Sequence, residues 1–487
     1  MLLFRLCQER YERDLETYRL AHSSIFNYLL HFVLVPLETV SALVAIAQVS
    51  KIAAISIQVT ASIFVLLAAR PKLAFVQLSW TALSIFLMDR MTVIAAVLLW
   101  LGALIFQVTI GHGLLEKKKP SFVNNPTISS VILSAALAWD MEHWIPVALR
   151  NLIYMNFITS PELTRAGPRK AFYSLHARNI ETRTDDGALI RGFHLLPAGS
   201  TTLLHAKNEM NEESLLQEAR LCILFFHGNC GTRLGVFKMR RPSGRVELCR
   251  ALASHWKAHV ICFDYRGFAD SDNLTPSETG LALDAQAALR WVRTNAPHAR
   301  IVLYGQSLGT AVATELAANA RPCVNGLILD GPFPSVLEAA ETYPFVGYYL
   351  IPTLRYFNYL EKTIEMLPDC RHESQAHKLP SSVPLLVVHK KQDEVVPAIL
   401  GRKVFDLAHQ AAARSASYNS FLLIDDDTKP TMRKHHVDAF TSPLWLIAVD
   451  HLIKIALGFD DSSSSETPFQ FTKNVKKIFS SSSASLR

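Results

Sequence analysis

Paired cysteines are missing from this chain of 487 residues. The seven it has, Cys7, Cys222, Cys230, Cys249, Cys262, Cys323 and Cys370, are scattered singly, with no C-x-x-C pair. That spacing supports neither a zinc site nor a disulfide framework, and Cys222, Cys249, Cys262 and Cys323 lie in apolar runs, as core thiols do. Concentrated positive charge is missing too. The net charge of +7 is spread along the chain. With no basic stripe and no interleaved aromatic platform, nothing indicates a nucleic-acid partner. Residues 25 to 110 have almost no charge of either sign, whereas the rest has the composition of a soluble domain. The chain is also too long for one ordinary core, so two units are expected.

The charge-poor stretch is filled by four successive apolar runs, Ile25 to Val49, Ile52 to Ala69, Leu73 to Met88 and Met91 to Ile110. Crossing the hydrocarbon takes roughly 20 helical residues, so the middle two are marginal as spans and equally suit a tight hairpin. A weaker fifth run, Ile128 to Ala148, holds Asp140, Glu142 and His143 and fits the interface. The charged stretch from Glu9 to Arg19 precedes the first long run, which argues against a cleaved signal peptide. Asp460 to Arg487 is serine-rich, has no ER-retention tetrapeptide and is expected to be disordered. Arg/Lys-bearing segments lie before the first run, after the second and after the fourth, which alternation places on the cytosolic side. If the fifth run crosses, the domain that follows faces the lumen. Asn273-Leu274-Thr275 is then expected to be glycosylated, although Pro276 weakens the signal.

Chemistry appears in the second half. Ile301-Val302-Leu303-Tyr304 reads as a buried strand, Gly305-Gln306-Ser307-Leu308-Gly309 as a tight turn, and Thr310 to Ala317 as a helix. Strand, glycine turn and helix give G-x-S-x-G the context of a nucleophile elbow, which lifts a serine Oγ beside a helix N-terminus. Upstream, Leu221 to Phe226 is an apolar strand running into His227-Gly228-Asn229-Cys230-Gly231. That turn offers the Asn229 N–H to a developing oxyanion, with the Leu308 N–H as second donor. Pro384 to His389 is a later strand, placing Asp393 at its C-terminal end, and Arg433-Lys434-His435-His436 comes last.

A serine hydroxyl is a poor nucleophile until a histidine takes its proton, and the histidine needs a carboxylate to hold its tautomer. Asp393 competes with Glu394 and with Asp425 to Asp427, and His435 competes with His436. Leu337 to Leu367 holds Tyr343, Phe345, Tyr348, Tyr349, Tyr356, Phe357 and Tyr359 and reads as a lid suited to an acyl chain. Ordinary packing of cap helices accounts equally for about half of those rings.

These segments resemble the membrane-bound lysophosphatidylserine-lipase branch of the α/β-hydrolase-domain proteins. The likeness runs from about residue 175 to 455. It rests on His227 to Arg233, on Phe263-Asp264-Tyr265-Arg266-Gly267-Phe268-Ala269-Asp270-Ser271, and on Thr275 to Glu278. Gly305 to Thr310 and Val395 through Lys403 continue it. The resemblance implies Ser307, Asp393 and His436 as the catalytic set, His436 being at the family's distance before Ser442-Pro443. Gln306 stands where histidine is common, which should leave catalysis intact. An insertion from Val236 to Ser243 adds a basic loop near the oxyanion turn.

Ionisable groups are costly in apolar helices and point to function by default. The first half holds His22, His31, Glu38, His112 and Glu116. His112 and Glu116 share a face if helical, whereas His22 and His31 converge only if the helix starts after His22. Imidazoles and a carboxylate without thiols suit iron, manganese or zinc, with interfacial histidines as the plain alternative. Tyr18 to Leu37 and Gln107 to Pro120 resemble the opening and closing motifs of the 2-hydroxy fatty acid dioxygenase family of ER membrane proteins, over about residues 10 to 150. That resemblance implies Fe(II), 2-hydroxy fatty acid shortening by one carbon, His22, His31 and His112 as ligands, and Glu116 as a ligand or a ligand's partner. His143 matches nothing in those motifs.

The expected architecture is a multi-pass α-helical membrane domain (1–150), a linker (151–174) and an α/β-hydrolase fold (175–457). The hydrolase would have a mostly parallel sheet, helices on both faces and a lid near 335–376; the tail (458–487) follows. The expected protein is an ER-membrane serine lipase for single-chain lipids, needing no cofactor for hydrolysis, with the bilayer and lipid substrates as partners. The hydrolase is expected to face the lumen. An acyl-protein thioesterase, or a lipase whose helical block is only an anchor, are the alternatives.

Overall fold

The computed structural model describes residues 2–21, 25–68, 71–88, 90–110, 150–151, 153–156, 177–199, 216–235, 244–320, 323–343, 346–356, 371–410, 418–425, 436 and 438–459. The chain divides into two units, Met1–Leu152 and Ile153–Arg487.

The first unit contains helices α1 (Leu2–Ala21), α2 (Ile25–Val49), α3 (Lys51–Leu67), α4 (Pro71–Met88) and α5 (Val93–Phe106). Ser50 and Thr92 start α3 and α5 by accepting the N–H groups of Ala53 and Ala95, which offsets part of the unpaired first turn. α2 packs on α4 and α5, and α3 on α4. Val40, Leu43, Val44, Ala47, Ala54 and Ala96 form the core between them. Ile52, Ile63, Ile94, Leu98 and Ile105 point outward instead. Helices apolar on every side need an apolar surround. Val93–Ile110 is the one helix among the described residues long and apolar enough to cross a membrane. Val33–Val49, Lys51–Leu67 and Leu73–Leu87 are shorter apolar helices. The fifth run lies outside the described residues, as do His143, the 236–243 insertion and the 460–487 tail.

The second unit is built on an eight-stranded sheet. Its elements in order are β1 (Ala177–Arg183), β2 (Leu189–Leu195), β3 (Leu221–Phe226), α6 (Gly244–His255), β4 (His259–Phe263), α7 (Glu278–Asn295), β5 (Arg300–Gln306) and α8 (Leu308–Asn319). Then come β6 (Gly326–Asp330), α9 (Val336–Glu341), α10 (Ile351–Tyr356), β7 (Leu385–Lys390), α11 (Ala398–Gln410), β8 (Asn419–Ile424) and α12 (Pro443–Ala456). The strand order is β1-β2-β4-β3-β5-β6-β7-β8. β1 with β2 and β2 with β4 are antiparallel, and the remaining pairs are parallel.

Strands covered on both sides read as unbroken apolar runs rather than alternating ones, which is why Leu221–Phe226 is buried throughout. One face of the sheet, with Ile223, Phe225, Val302 and Tyr304, packs on α6 and α12 through Val246, Leu252, Trp445 and Val449. Cys222, Leu224, Ile301 and Leu303 alternate with them and are equally buried, where α7 and α8 pack on β3 and β5. Cys7, Cys222, Cys230, Cys249 and Cys262 are buried, Cys323 half-buried, and no disulfide joins any of the described residues. Burial pushes the Cys222 thiol up to about 12, so it stays protonated as a core thiol should.

The lid region contains α9, a π-turn at Val346–Leu350 and α10, while residues 357–370 lie outside the described set. Tyr343, Tyr348 and Tyr349 are 42%, 79% and 67% exposed, so none of the three is packed in a cap core. Phe345, Phe357, Tyr359 and the side chain of Tyr356 are outside the described set.

Candidate active site

β5 delivers Ser307 at its C-terminal end, and α8 begins at the next residue. Ser307 has φ +52°, a left-handed backbone that side chains adopt only under constraint. Its N–H donates to the Asp330 carbonyl at 2.9 Å. The flanking glycines are required by closeness. A Cβ at Gly305 would meet Thr310 Cα at 2.7 Å, and one at Gly309 would run into the Phe226 carbonyl. A Cβ at Gly228 would lie 3.0 Å from Ser307 Cβ, so the turn after β3 presses against the serine.

The Ser307 hydroxyl donates to His436 Nε2 at 2.9 Å, and His436 Nδ1–H donates to Asp393 Oδ2 at 2.7 Å. All three side chains are nearly buried. The tautomer follows from the partners on each ring nitrogen. Asp393 sits after β7, and its Oδ1 accepts the N–H groups of Val395 and Val396 at 2.8 and 2.9 Å. Burial alone would raise its carboxyl, but hydrogen bonds from His389 and His436 outweigh that and hold it well below the usual carboxylate range. The competing carboxylates are elsewhere: Glu394 is exposed, and Asp425 pairs with Lys391 at 2.7 Å on the surface. His435 lies outside the described residues, as do Asp426 and Asp427.

Leu308 is the first residue of α8, where the N–H has no partner within the helix. The Asn229 N–H makes no hydrogen bond among the described residues, while its side chain donates to the Ile153 carbonyl at 3.1 Å. The Cys230 N–H donates to the Tyr154 carbonyl at 2.9 Å, and Tyr154 Oη bonds His372 Nε2 at 2.8 Å. Asn156 Nδ2 donates to the Gly267 carbonyl at 3.0 Å. Ile153, Tyr154 and Asn156 of the expected linker thus belong to the second unit and brace the turn.

Sequence reasoning passed over two further residues. His389, at the end of β7, has Nε2 2.7 Å from the Val396 carbonyl and 3.4 Å from Asp393 Oδ2. Its position four residues before the acid was the only signal. Asp330, at the end of β6, accepts from Tyr304 Oη at 3.0 Å and from Gln306 Nε2 at 3.3 Å, and Trp445 Nε1 donates to Tyr304 Oη at 3.2 Å. Burial pushes the Asp330 carboxyl up to about 6 against those hydrogen bonds. Gln306, the residue before the nucleophile, thus joins a buried network, a contact no local motif announces.

Of the metal-ligand candidates, only His31 is among the described residues; His22, His112 and Glu116 lie outside them. His31 is fully buried in α2. With the Gln107 amide oriented by its neighbours, its oxygen accepts from His31 Nε2 at 2.6 Å and its nitrogen donates to Glu38 Oε2 at 3.0 Å. A buried imidazole whose one ring nitrogen is tied to a carboxylate-anchored amide fits a metal ligand, since such partners orient ligating histidines.

A family model described as alpha/beta hydrolase fold matches residues 222–355. A second, described as 2-hydroxy-palmitic acid dioxygenase Mpo1-like, matches residues 8–143. The lysophosphatidylserine lipase ABHD12 of Danio rerio is 32% identical over 283 residues, 57% of this chain and 70% of the relative. That of Mus musculus is 33% identical over 277 residues, 56% of this chain and 65% of the relative, so the chain spans slightly under two thirds of it. Among solved structures, the Pyrococcus furiosus esterase Pf2001 is 15% identical, with a TM-score of 0.41, covering 60% of this chain and 94% of that one.

Proposed function

The chain belongs to the family of the lysophosphatidylserine lipase ABHD12, and from that premise we propose that it is a membrane-bound serine hydrolase of single-chain lipids, lysophospholipids or monoacylglycerols. The observation that carries this reading is the continuous chain from Ser307 Oγ through His436 to Asp393, at 2.9 and 2.7 Å. In it, His436 Nε2 takes the hydroxyl proton as Ser307 Oγ attacks the ester carbonyl, and Asp393 holds the imidazolium that forms. The N–H groups of Asn229 and Leu308 receive the oxyanion. His436 then protonates the leaving alcohol, and a water activated by the same histidine releases the fatty acid. Ser307→Ala should lower ester turnover by about 10⁴-fold or more and remove fluorophosphonate labelling. A variant that still labels would overturn the assignment.

For the first unit we propose an Fe(II) site held by His22, His31 and His112, with Glu116 as ligand or ligand's partner. Support comes from the Mpo1-like match and the buried His31. Bound iron would supply oxygen activation toward a 2-hydroxy fatty acid. Glu38 and Gln107 would fix the orientation of His31 and keep its ring buried among apolar helices. The apolar outer faces of α3 and α5 support an integral position in the ER membrane, and the charge alternation along the chain, with the fifth run crossing, supports a lumenal hydrolase.

A further inference from the structure

We infer that Arg245 is a positioning residue that aims the oxyanion donor of the hydrolase site, an inference that rests on the serine-hydrolase reading above. Arg245 lies in the first turn of α6 and is only 6% exposed. Its guanidinium reaches four carbonyls of one turn. Nη2 donates to the Gly228 and Asn229 oxygens at 3.2 and 3.1 Å, and Nη1 to the Cys230 and Thr232 oxygens at 3.0 and 2.8 Å.

Peptide geometry turns this grip into a direction. The Gly228 C=O and the Asn229 N–H belong to one planar trans peptide and point opposite ways. The Gly228 oxygen is held by Arg245 Nη2 and, at 2.8 Å, by His227 Nδ1, so the N–H points the opposite way, and Gly228 is the residue pressed against Ser307. Neighbouring groups are fixed elsewhere: the His227 carbonyl accepts from Tyr265 Oη at 3.0 Å, and the Cys230 N–H donates to Tyr154. The Asn229 N–H is left without an acceptor among the described residues, as a donor awaiting a transient oxyanion should be.

Residue type supports the same role. A cation in a helix's first turn opposes the macrodipole, so this arginine is placed at some cost to α6. Several carbonyls turned to one side without donors would cost more. Only a planar fork with five N–H groups reaches four of them at once; a lysine ammonium is a point donor.

The test uses the full chain in detergent, a short-chain p-nitrophenyl ester, and an alkyl trifluoromethyl ketone that forms a tetrahedral oxyanion on Ser307. In Arg245→Met, kcat should fall by about 10²-fold or more, the ketone should bind more weakly in the same proportion, and KM should stay within about three-fold. Arg245→Lys keeps the charge and stem but should lose nearly as much, and it carries the test if the methionine variant does not fold. Unchanged kcat and ketone affinity in a folded variant overturns the inference, as does a rise in KM alone. A labelled wild type with an unimpaired Arg245 variant removes only this inference. A wild type that takes up no fluorophosphonate removes the serine-hydrolase reading and the inference with it.

Discussion

His389 Nε2 stands 3.4 Å from Asp393 Oδ2, the same oxygen that receives His436 Nδ1 at 2.7 Å. Two imidazoles and two backbone N–H groups therefore surround one buried carboxylate, and the net effect is a depressed pKa. A carboxylate depressed on folding contributes stability above its unfolded value, about 4, and loses it as pH falls through the folded value. Removing His389 should let the folded value rise. His389→Leu is expected to cost about 1–3 kcal/mol at pH 7, part of it from the Val396 carbonyl left without its donor. The gap from wild type should narrow below about pH 4. Thermal melts across pH 3–7 decide it: a gap independent of pH would mean lost packing alone.

The opposite sign holds at Asp330. Its folded value is raised to about 6, so the stability tied to the neutral form is present below about pH 4 and lost as pH rises through 6. Asp330→Asn should stabilise the protein at pH 8 by up to ~3 kcal/mol and by nothing below pH 4. The Gln306 amide oxygen, which has no partner among the described residues, can turn to accept from the new Asn Nδ2. Equal melting temperatures at pH 8 would show that Asp330 is not strained by burial.

Asn273 is exposed in the loop that follows Asp270 and Ser271. If the hydrolase unit faces the lumen, protein from native membranes should shift in mobility on glycosidase treatment, and Asn273→Gln should remove the shift. An unglycosylated protein whose hydrolase unit is cut by protease from the cytosolic side would reverse the topology.

The iron proposal predicts oxygen uptake by the iron-loaded protein given a long-chain 2-hydroxy fatty acid, lost in His112→Ala. Bound iron per chain should fall in His31→Ala, and Gln107→Leu should lower it by about 10-fold in affinity, the scale of losses when a ligand's partner is removed. Normal ester turnover in those variants, with neither uptake nor iron in the wild type, would leave the first unit as an anchor.

Much of the hydrolase was legible because parallel strands buried on both sides must be continuous apolar runs. Leu221 to Phe226, Ile301 to Tyr304 and Pro384 to His389 announce themselves that way. Ser307 was legible because closeness around it admits only glycine at 305 and 309, and that constraint leaves a local trace. The Tyr residues of the lid were less so, since aromatic residues at helical spacing read alike whether they face a core or, as with Tyr348, the solvent.

The sequence by itself determined the order of nucleophile, acid and base, the apolar character of the first unit, and its histidines. Tertiary structure decided which chemically equivalent groups meet. Asp393 lies 43 residues from His436, and only the parallel order of β7 and β8 brings that acid, rather than Glu394 or Asp425, to the imidazole. Arg245 acts on carbonyls 13 to 17 residues before it, which have no side chain to leave a pattern. His389, Asp330 and Tyr154 are likewise defined by distance across the fold, because burial and hydrogen-bond geometry arise only once the sheet has assembled.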